Sequence, residues 1–182
     1  MFAIAFLGRS GKFPAPPMSF RSGRRLYPQA GQRPHHRFER TQTVSSKMIF
    51  VNLPVTDLAR SKNFYESLGW KVNDDFTDEN AACIVVDDNI CLMLLTHEHF
   101  GVFSKRPIAD TKAATGAAYA LSLGSADEVD RLTDAAVAAG GTEEVNTDKQ
   151  AQEAQVGMHG RTFLDPDGHQ WEPFYMNYPG AE

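Results

Sequence analysis

The chain has 182 residues and only two cysteines, Cys83 and Cys91, too few for a disulfide framework. Both fall in a strand and its hairpin partner, where buried free thiols are expected, and a reducing, cytoplasmic setting follows. No apolar run approaches the roughly 20 residues of a membrane span, so no membrane partner is expected. Acid is almost missing from residues 1–47, where nine Lys or Arg face Glu39 alone. Residues 48–182 reverse the balance, with nine Lys or Arg against 22 acids, so a segment near +8 precedes a body near −13. A body of that sign makes nucleic acid an unlikely partner.

The basic segment also lacks a sustained helical or alternating pattern. Pro14, Pro16, Pro17, Pro28 and Pro34 stand among Arg and Gly, and the composition reads as a disordered N-terminal extension. Three readings stay open for it: a leader from an upstream translation start, an organelle transit peptide, or an anionic-surface arm through Arg21, Arg24, Arg25, Arg33 and Arg37.

From Met48 the pattern is strand, helix and three strands, performed twice. Ile49–Val55 is a β-branched run, Asp57 is placed to cap, and Leu58, Phe64, Tyr65 and Leu68 line one helical face before Gly69. Trp70–Phe76, Ala82–Val86 and Ile90–His97 read as strands, with a hairpin across residues 87–89 and a connector over 100–116. In the second module Ala117–Leu123 is strand-like, and Ser125 with Glu128 forms a capping box. Val129, Leu132, Ala136 and Ala139 then make a buried stripe ended by Gly140-Gly141. Thr142–Asn146, Met158–Leu164 and His169–Met176 supply three strands, the last pair joined at Asp165–Gly168, with Asp148–Gln155 a polar loop.

The Val-Thr-Asp…Ser…Phe-Tyr…Leu-Gly stretch (residues 55–69) and Asp-Pro-Asp-Gly-His-Gln-Trp-Glu (165–172) resemble the vicinal oxygen chelate superfamily of glyoxalases, extradiol dioxygenases and bleomycin-resistance proteins. The resemblance covers about residues 48–176 and implies an α+β fold. Paired βαβββ modules, about 48–100 and 117–176, would form a cup-shaped mixed sheet around a cavity, with the helices outside and a short tail at 177–182. That fold serves enzymes and binders alike, so function must be argued from the cavity residues.

The superfamily's metal enzymes place a His or Gln on each module's first strand and a carboxylate on each last strand. Aligned on the motifs, those positions hold Phe50, Ala118, Met93 and Glu172. A phenyl ring and a methyl group bind no metal, and a thioether suits soft ions rather than hard ones. One carboxylate of four cannot hold a catalytic ion, so no metal cofactor is expected.

If the second hairpin pairs Leu164 with His169, Arg161 falls opposite Glu172, with His159 and Phe163 on the same face. That predicts an Arg161–Glu172 pair, as a brace for the hairpin or as a ligand contact, and a one-residue slip would reverse the facing. Asn52 shares a face with Phe50, whereas Tyr119 points away from Ala118. Phe50, Asn52, Met93, Ala118, His159, Arg161, Glu172 and Phe174 are the candidate ligand-binding residues. His97 and His99, two apart at a strand end, would either share a zinc ion or be solvated.

The function expected is metal-independent binding of a small organic molecule by a homodimer packed through its sheets. The alternative is a glyoxalase- or dioxygenase-type enzyme with a displaced divalent metal, using Glu172 with His159, His97 or His99, or using Glu172 alone as a general base. The sequence also predicts that a chain started at Met48 keeps the thermal midpoint of the full chain. A drop of more than about 5 °C in a melting experiment, roughly a kcal/mol for this size, would show that residues 1–47 add to stability.

Overall fold

The computed structural model describes residues 47–177. The expectations for the basic extension and the C-terminal tail, apart from Lys47 and Asn177, lie outside the described residues. In the first module β1 (Ile49–Val55), α1 (Leu58–Ser67), β2 (Lys71–Asn73), β3 (Ala81–Asp87) and β4 (Ile90–Thr96) form a mixed sheet in the order β1-β4-β3-β2. A short helix α2 (His97–Phe103) follows. The second module comprises β5 (Ala118–Ser122), α3 (Ala126–Ala138), β6 (Thr142–Glu143), α4 (Thr147–Gln155), β7 (Met158–Gly160), β8 (Phe163–Leu164) and β9 (Gln170–Met176). Its sheet runs β5-β9-β8-β6, with β7 also on β9. In both modules the first and last strands pair in parallel and the other pairings are antiparallel. The internal repeat is therefore present in topology as well as in sequence.

Helix punctuation follows the side chains. Asp57 accepts from the Arg60 amide at 2.9 Å to start α1, and Ser125 accepts from the Glu128 amide at 3.2 Å to start α3. Glu128 reaches back to the Gly124 amide, one residue before the cap. Gly69 and Gly140, with φ of 86° and 100°, follow the two helices in the left-handed region.

The outer faces of both sheets meet α1 and α3 in one core. Leu53, Val55, Ile84, Leu92 and Leu94 of the first sheet, Phe64 and Tyr65 of α1, Ala136 of α3, and Phe163 and Trp171 of the second sheet are all buried there. Tyr65 stacks on Trp70 at 5.5 Å, and Trp171 lies 5.1 Å from Trp70 and 5.2 Å from Tyr119. A fully buried side chain of this size contributes about 1.5–3 kcal/mol, and truncating Phe64 to Ala would cost about 3–5.

The Asp165–Gly168 turn fastens the second module to the first. Asp165 Oδ2 accepts from the Tyr65 hydroxyl at 2.6 Å, and its Oδ1 accepts from the amides of Asp167 and His169. Asp167 accepts from the Thr56 amide at 3.0 Å, the Thr56 hydroxyl at 2.5 Å, the Ser61 hydroxyl at 2.7 Å and the Arg60 guanidinium at 2.8 Å. The His169 ring sits 2.9 Å from the Pro54 carbonyl. Gly168, at φ 92°, lets the connector close in, because a Cβ there would lie 2.7 Å from the Thr111 carbonyl oxygen.

Four local expectations are corrected. The strand expected at 70–76 stops at Asn73, whose side chain accepts from the Asp75 amide and opens a 3-10 turn over Asp74–Phe76. The strand expected to reach His97 ends at Thr96, whose hydroxyl caps a helix instead. The polar loop 148–155 is helix α4, capped by Asn146 through the Lys149 amide at 3.0 Å. Strand 158–164 is interrupted at Arg161–Thr162. Arg161 donates to the Pro173 carbonyl at 3.1 Å, but Pro173 has no N–H to return.

Burial by itself would push the Asp167 carboxyl up, but hydrogen bonds from Thr56, Ser61 and Arg60 outweigh it and hold it below the usual carboxylate range. A depressed folded value means that its stabilisation is complete above the unfolded value of about 3.9 and is lost as pH falls through the folded value. Asp167→Asn should therefore cost about 2–3 kcal/mol near neutral pH and progressively less below about pH 4. Urea unfolding at neutral and acid pH measures the difference. Equal costs at both would show that the charge plays no part.

Candidate functional site

Each sheet has an inner face opposite the shared core, and the registers of the two inner faces match. Phe50 pairs with Cys91 and Asn52 with Met93 in the first sheet; Ala118 pairs with Gln170 and Ala120 with Glu172 in the second. Setting Phe50 against Ala118 and Met93 against Glu172 thus aligns both ladders at once.

The inner face of the first sheet is apolar and rich in sulfur. Ala81, Cys83, Cys91, Met93 and Leu95 form a second buried cluster, with Phe50, Phe76, Val85 and Phe100 packed against it. Phe100 comes from α2, which lies over this face. Burial, followed by the neighbouring Cys91, pushes the Cys83 thiol up to about 12, and burial pushes Cys91 up as well. Both thiols are free, as expected. The half-buried Asn52 stands beside Met93, and its Oδ1 is buried without a hydrogen-bond partner.

The inner face of the second sheet is charged and is overlain by α4. Lys149 Nζ lies 3.3 Å from Glu172, 3.7 Å from Glu153 and 3.4 Å from the Thr162 hydroxyl. Gln170 donates to Glu172 at 2.9 Å. Glu153 sits over Gly160, where a Cβ would meet its Oε2 at 2.7 Å, and that oxygen is buried without a partner. Phe174, paired with Gly160, lies on the same face, half-buried.

The expected Arg161–Glu172 pair does not form. The ladder pairs Phe163 with Trp171 and Gly160 with Phe174, which sets Arg161 opposite Pro173 and Thr162 opposite Glu172. The turn takes one more residue than expected, since the Asp165 amide bonds the His169 carbonyl and Leu164 pairs with Gln170. That slip turns Arg161 and His159 to the outer face. There Arg161 makes a fork to Glu143 with both contacts at 2.8 Å and reaches Asp134 at 2.8 Å, while His159 meets Asp130 at 2.9 Å. Glu143's carboxyl is held below its usual range, first by the Arg161 hydrogen bond. Glu172 is paired instead with Lys149, which the sequence reading placed in a loop and did not consider.

Of the four metal-position residues, Phe50 and Met93 lie on the inner face of the first sheet and Ala118 and Glu172 on that of the second, each two on neighbouring strands and offset by two residues in register. Two cavities lie away from these positions. One of about 300 Å³ is bounded by Pro54, Thr56, His97, Asp110, Lys112 and Asp167, and one of about 280 Å³ opens beside Leu68, Trp70 and Leu132. His97 and His99 occupy the first turn of α2, where residues two apart point to different sides, so the expected shared strand face is absent. His159 and Glu172 lie on opposite faces of their sheet. Among the described residues, no three His, Cys, Asp or Glu side chains are grouped to hold an ion. A hard divalent metal needs several converging oxygen or imidazole donors, and the residues at the four positions do not fit one.

Residues 47–87 match a family profile described as bleomycin resistance protein-like N-terminal. A hypothetical protein from S. aureus is 25% identical over 71% of this chain and 94% of its own, with a TM-score of 0.56. A glyoxalase/bleomycin resistance protein/dioxygenase family enzyme from Burkholderia phytofirmans PsJN is 15% identical over 72% and 100%, at 0.58. A glyoxalase-related enzyme from Fulvimarina pelagi is 22% identical over 71% and 87%, at 0.55. No curated protein matches the sequence. The chain has the vicinal oxygen chelate fold. Among the described residues, no helix is long and apolar enough to cross a membrane.

Double-mutant cycles check the reassigned partners. Lys149→Met with Glu172→Gln should couple by about 0.5–1 kcal/mol, as expected for half-exposed charges, and Arg161→Met with Glu172→Gln by less than about 0.3. The reverse order would restore the register expected from sequence.

Proposed function

We propose that this chain binds a small organic molecule, without a metal, against the Phe50–Asn52–Met93 edge of the first sheet. One observation carries the reading. The Asn52 amide oxygen is buried and unpartnered beside an apolar, sulfur-lined surface. Leaving such an oxygen unpaired costs about 1–3 kcal/mol, so the position favours a donor from outside the chain. Phe50 supplies a flat apolar wall next to it, and a mostly apolar surface with one placed polar atom is the usual composition of a small-molecule site. Ligands with an apolar body and one N–H or O–H suit it best.

The reading includes the homodimer. β1 and β5 stand at the ends of their sheet orders, and a second copy packed there would enclose the inner faces more fully. Glu172, neutralised by Lys149, would then border the ligand rather than act as a metal ligand or base.

The neutral fluorophore phenylnaphthylamine, whose amine offers one donor, is a direct probe. Its fluorescence should rise on binding, with Phe50→Ala weakening the affinity about tenfold and Asn52→Leu by a similar factor, while Glu172→Gln changes it less. An enhancement unchanged by both Phe50→Ala and Asn52→Leu would remove this site. Stoichiometric zinc, manganese or iron, retained after dialysis and lost in Glu172→Gln, would replace the reading with the metal-dependent enzyme.

A further inference from the structure

We propose that Cys83, Cys91 and Met93 form a binding site for one soft, sulfur-preferring divalent metal ion. The three sulfurs belong to one face of one hairpin. Cys83 pairs directly with Met93 across β3 and β4, and Cys91 precedes Met93 by two residues on the same strand. Directly opposed side chains have Cβ atoms about 4.5–5.5 Å apart, and i, i+2 neighbours on a strand share a face. Cys83 and Cys91 are diagonal neighbours across the same two strands, and both belong to one buried cluster. All three residues are buried, at 0%, 1% and 5% exposure.

The donor set decides the class of ion. Two thiolates and a thioether are soft ligands, poorly matched to magnesium, calcium or manganese and well matched to ions of the cadmium type. Binding would break two S–H bonds, release both protons to water and form two metal–thiolate bonds, with no change of oxidation state. Two thiolates neutralise a divalent ion, so the filled site carries no net charge and avoids the cost of burying one. Phe50, Phe76 and Phe100 surround the group and would exclude competing water. In the second module the positions equivalent to Cys91 and Met93 hold Gln170 and Glu172, so this sulfur pair is not repeated at the matched positions of the other inner face.

The proposal does not depend on an organic ligand and is tested separately, with Cd(II) on the reduced full chain. One Cd(II) per chain should bind with a sulfur-to-metal absorption band, and X-ray absorption should count three sulfur neighbours. Cys83→Ala and Cys91→Ala should each weaken binding about 100-fold or more, and the near-isosteric Met93→Leu about tenfold. Zn(II) should bind less tightly than Cd(II). Near-ultraviolet circular dichroism establishes that each variant is folded, and Met93→Leu keeps the test open if a cysteine variant is not. Failure of the folded native chain to retain Cd(II), affinity unchanged in Met93→Leu, or a count of two sulfurs would overturn the three-sulfur site. Loss of phenylnaphthylamine binding would not.

Discussion

Two carboxylates in one turn hold the modules in their relation to each other. Asp165 and Asp167 point back from the second module into the start of α1, where they accept from Tyr65, Thr56, Ser61 and Arg60. Asp165 is buried, and burial pushes its carboxyl up despite His169 and the Tyr65 hydroxyl, while Asp167 is held down. Removing one donor from such a group leaves a buried acceptor unpaired, which costs more than the hydrogen bond contributed. The shared aromatic core around Tyr65, Trp70 and Trp171 can form only when this turn sits against α1, so packing and hydrogen bonding specify the same arrangement.

The repeat keeps its backbone plan while its inner faces diverge in chemistry. At matched positions one sheet carries Cys91 and Met93, the other Gln170 and Glu172. Their covers differ accordingly: α2 contributes Phe100 to the first, and α4 contributes Lys149 and Glu153 to the second. Lys149 supplies Glu172 with a positive charge from within the chain. The residues toward which the family resemblance pointed are thus occupied by two local solutions, one apolar and one ionic.

Much of this was legible in the sequence. Asp57 and Ser125 marked the helix starts, short apolar runs marked β1, β3 and β4, and Asp165-Pro166-Asp167-Gly168 marked the second hairpin. Register was less legible, because it depends on whether the turn closes at Leu164 or at Asp165, and hydrogen bonds inside the turn decided that. Helix α4 was hidden because its residues are almost all polar and show no apolar stripe, so only Asn146 and Gly157 punctuated it. Helix α2 follows β4 with no loop residues between them, and its start rests on one hydroxyl, that of Thr96. The sulfur triangle was available in principle, since period two puts Cys91 and Met93 on one face and the hairpin sets Cys83 across from Met93.

The clasp also dictates an order of events during synthesis. Thr56, Ser61 and Tyr65 emerge from the ribosome about a hundred residues before the carboxylates that satisfy them. Until Trp171 has been made, the first module presents Phe64, Tyr65 and Trp70 without all their covering partners, and contacts of such long sequence separation form slowly. The first module is therefore a nascent-chain species with an exposed aromatic face, on which a chaperone acting during translation would have its longest opportunity to bind.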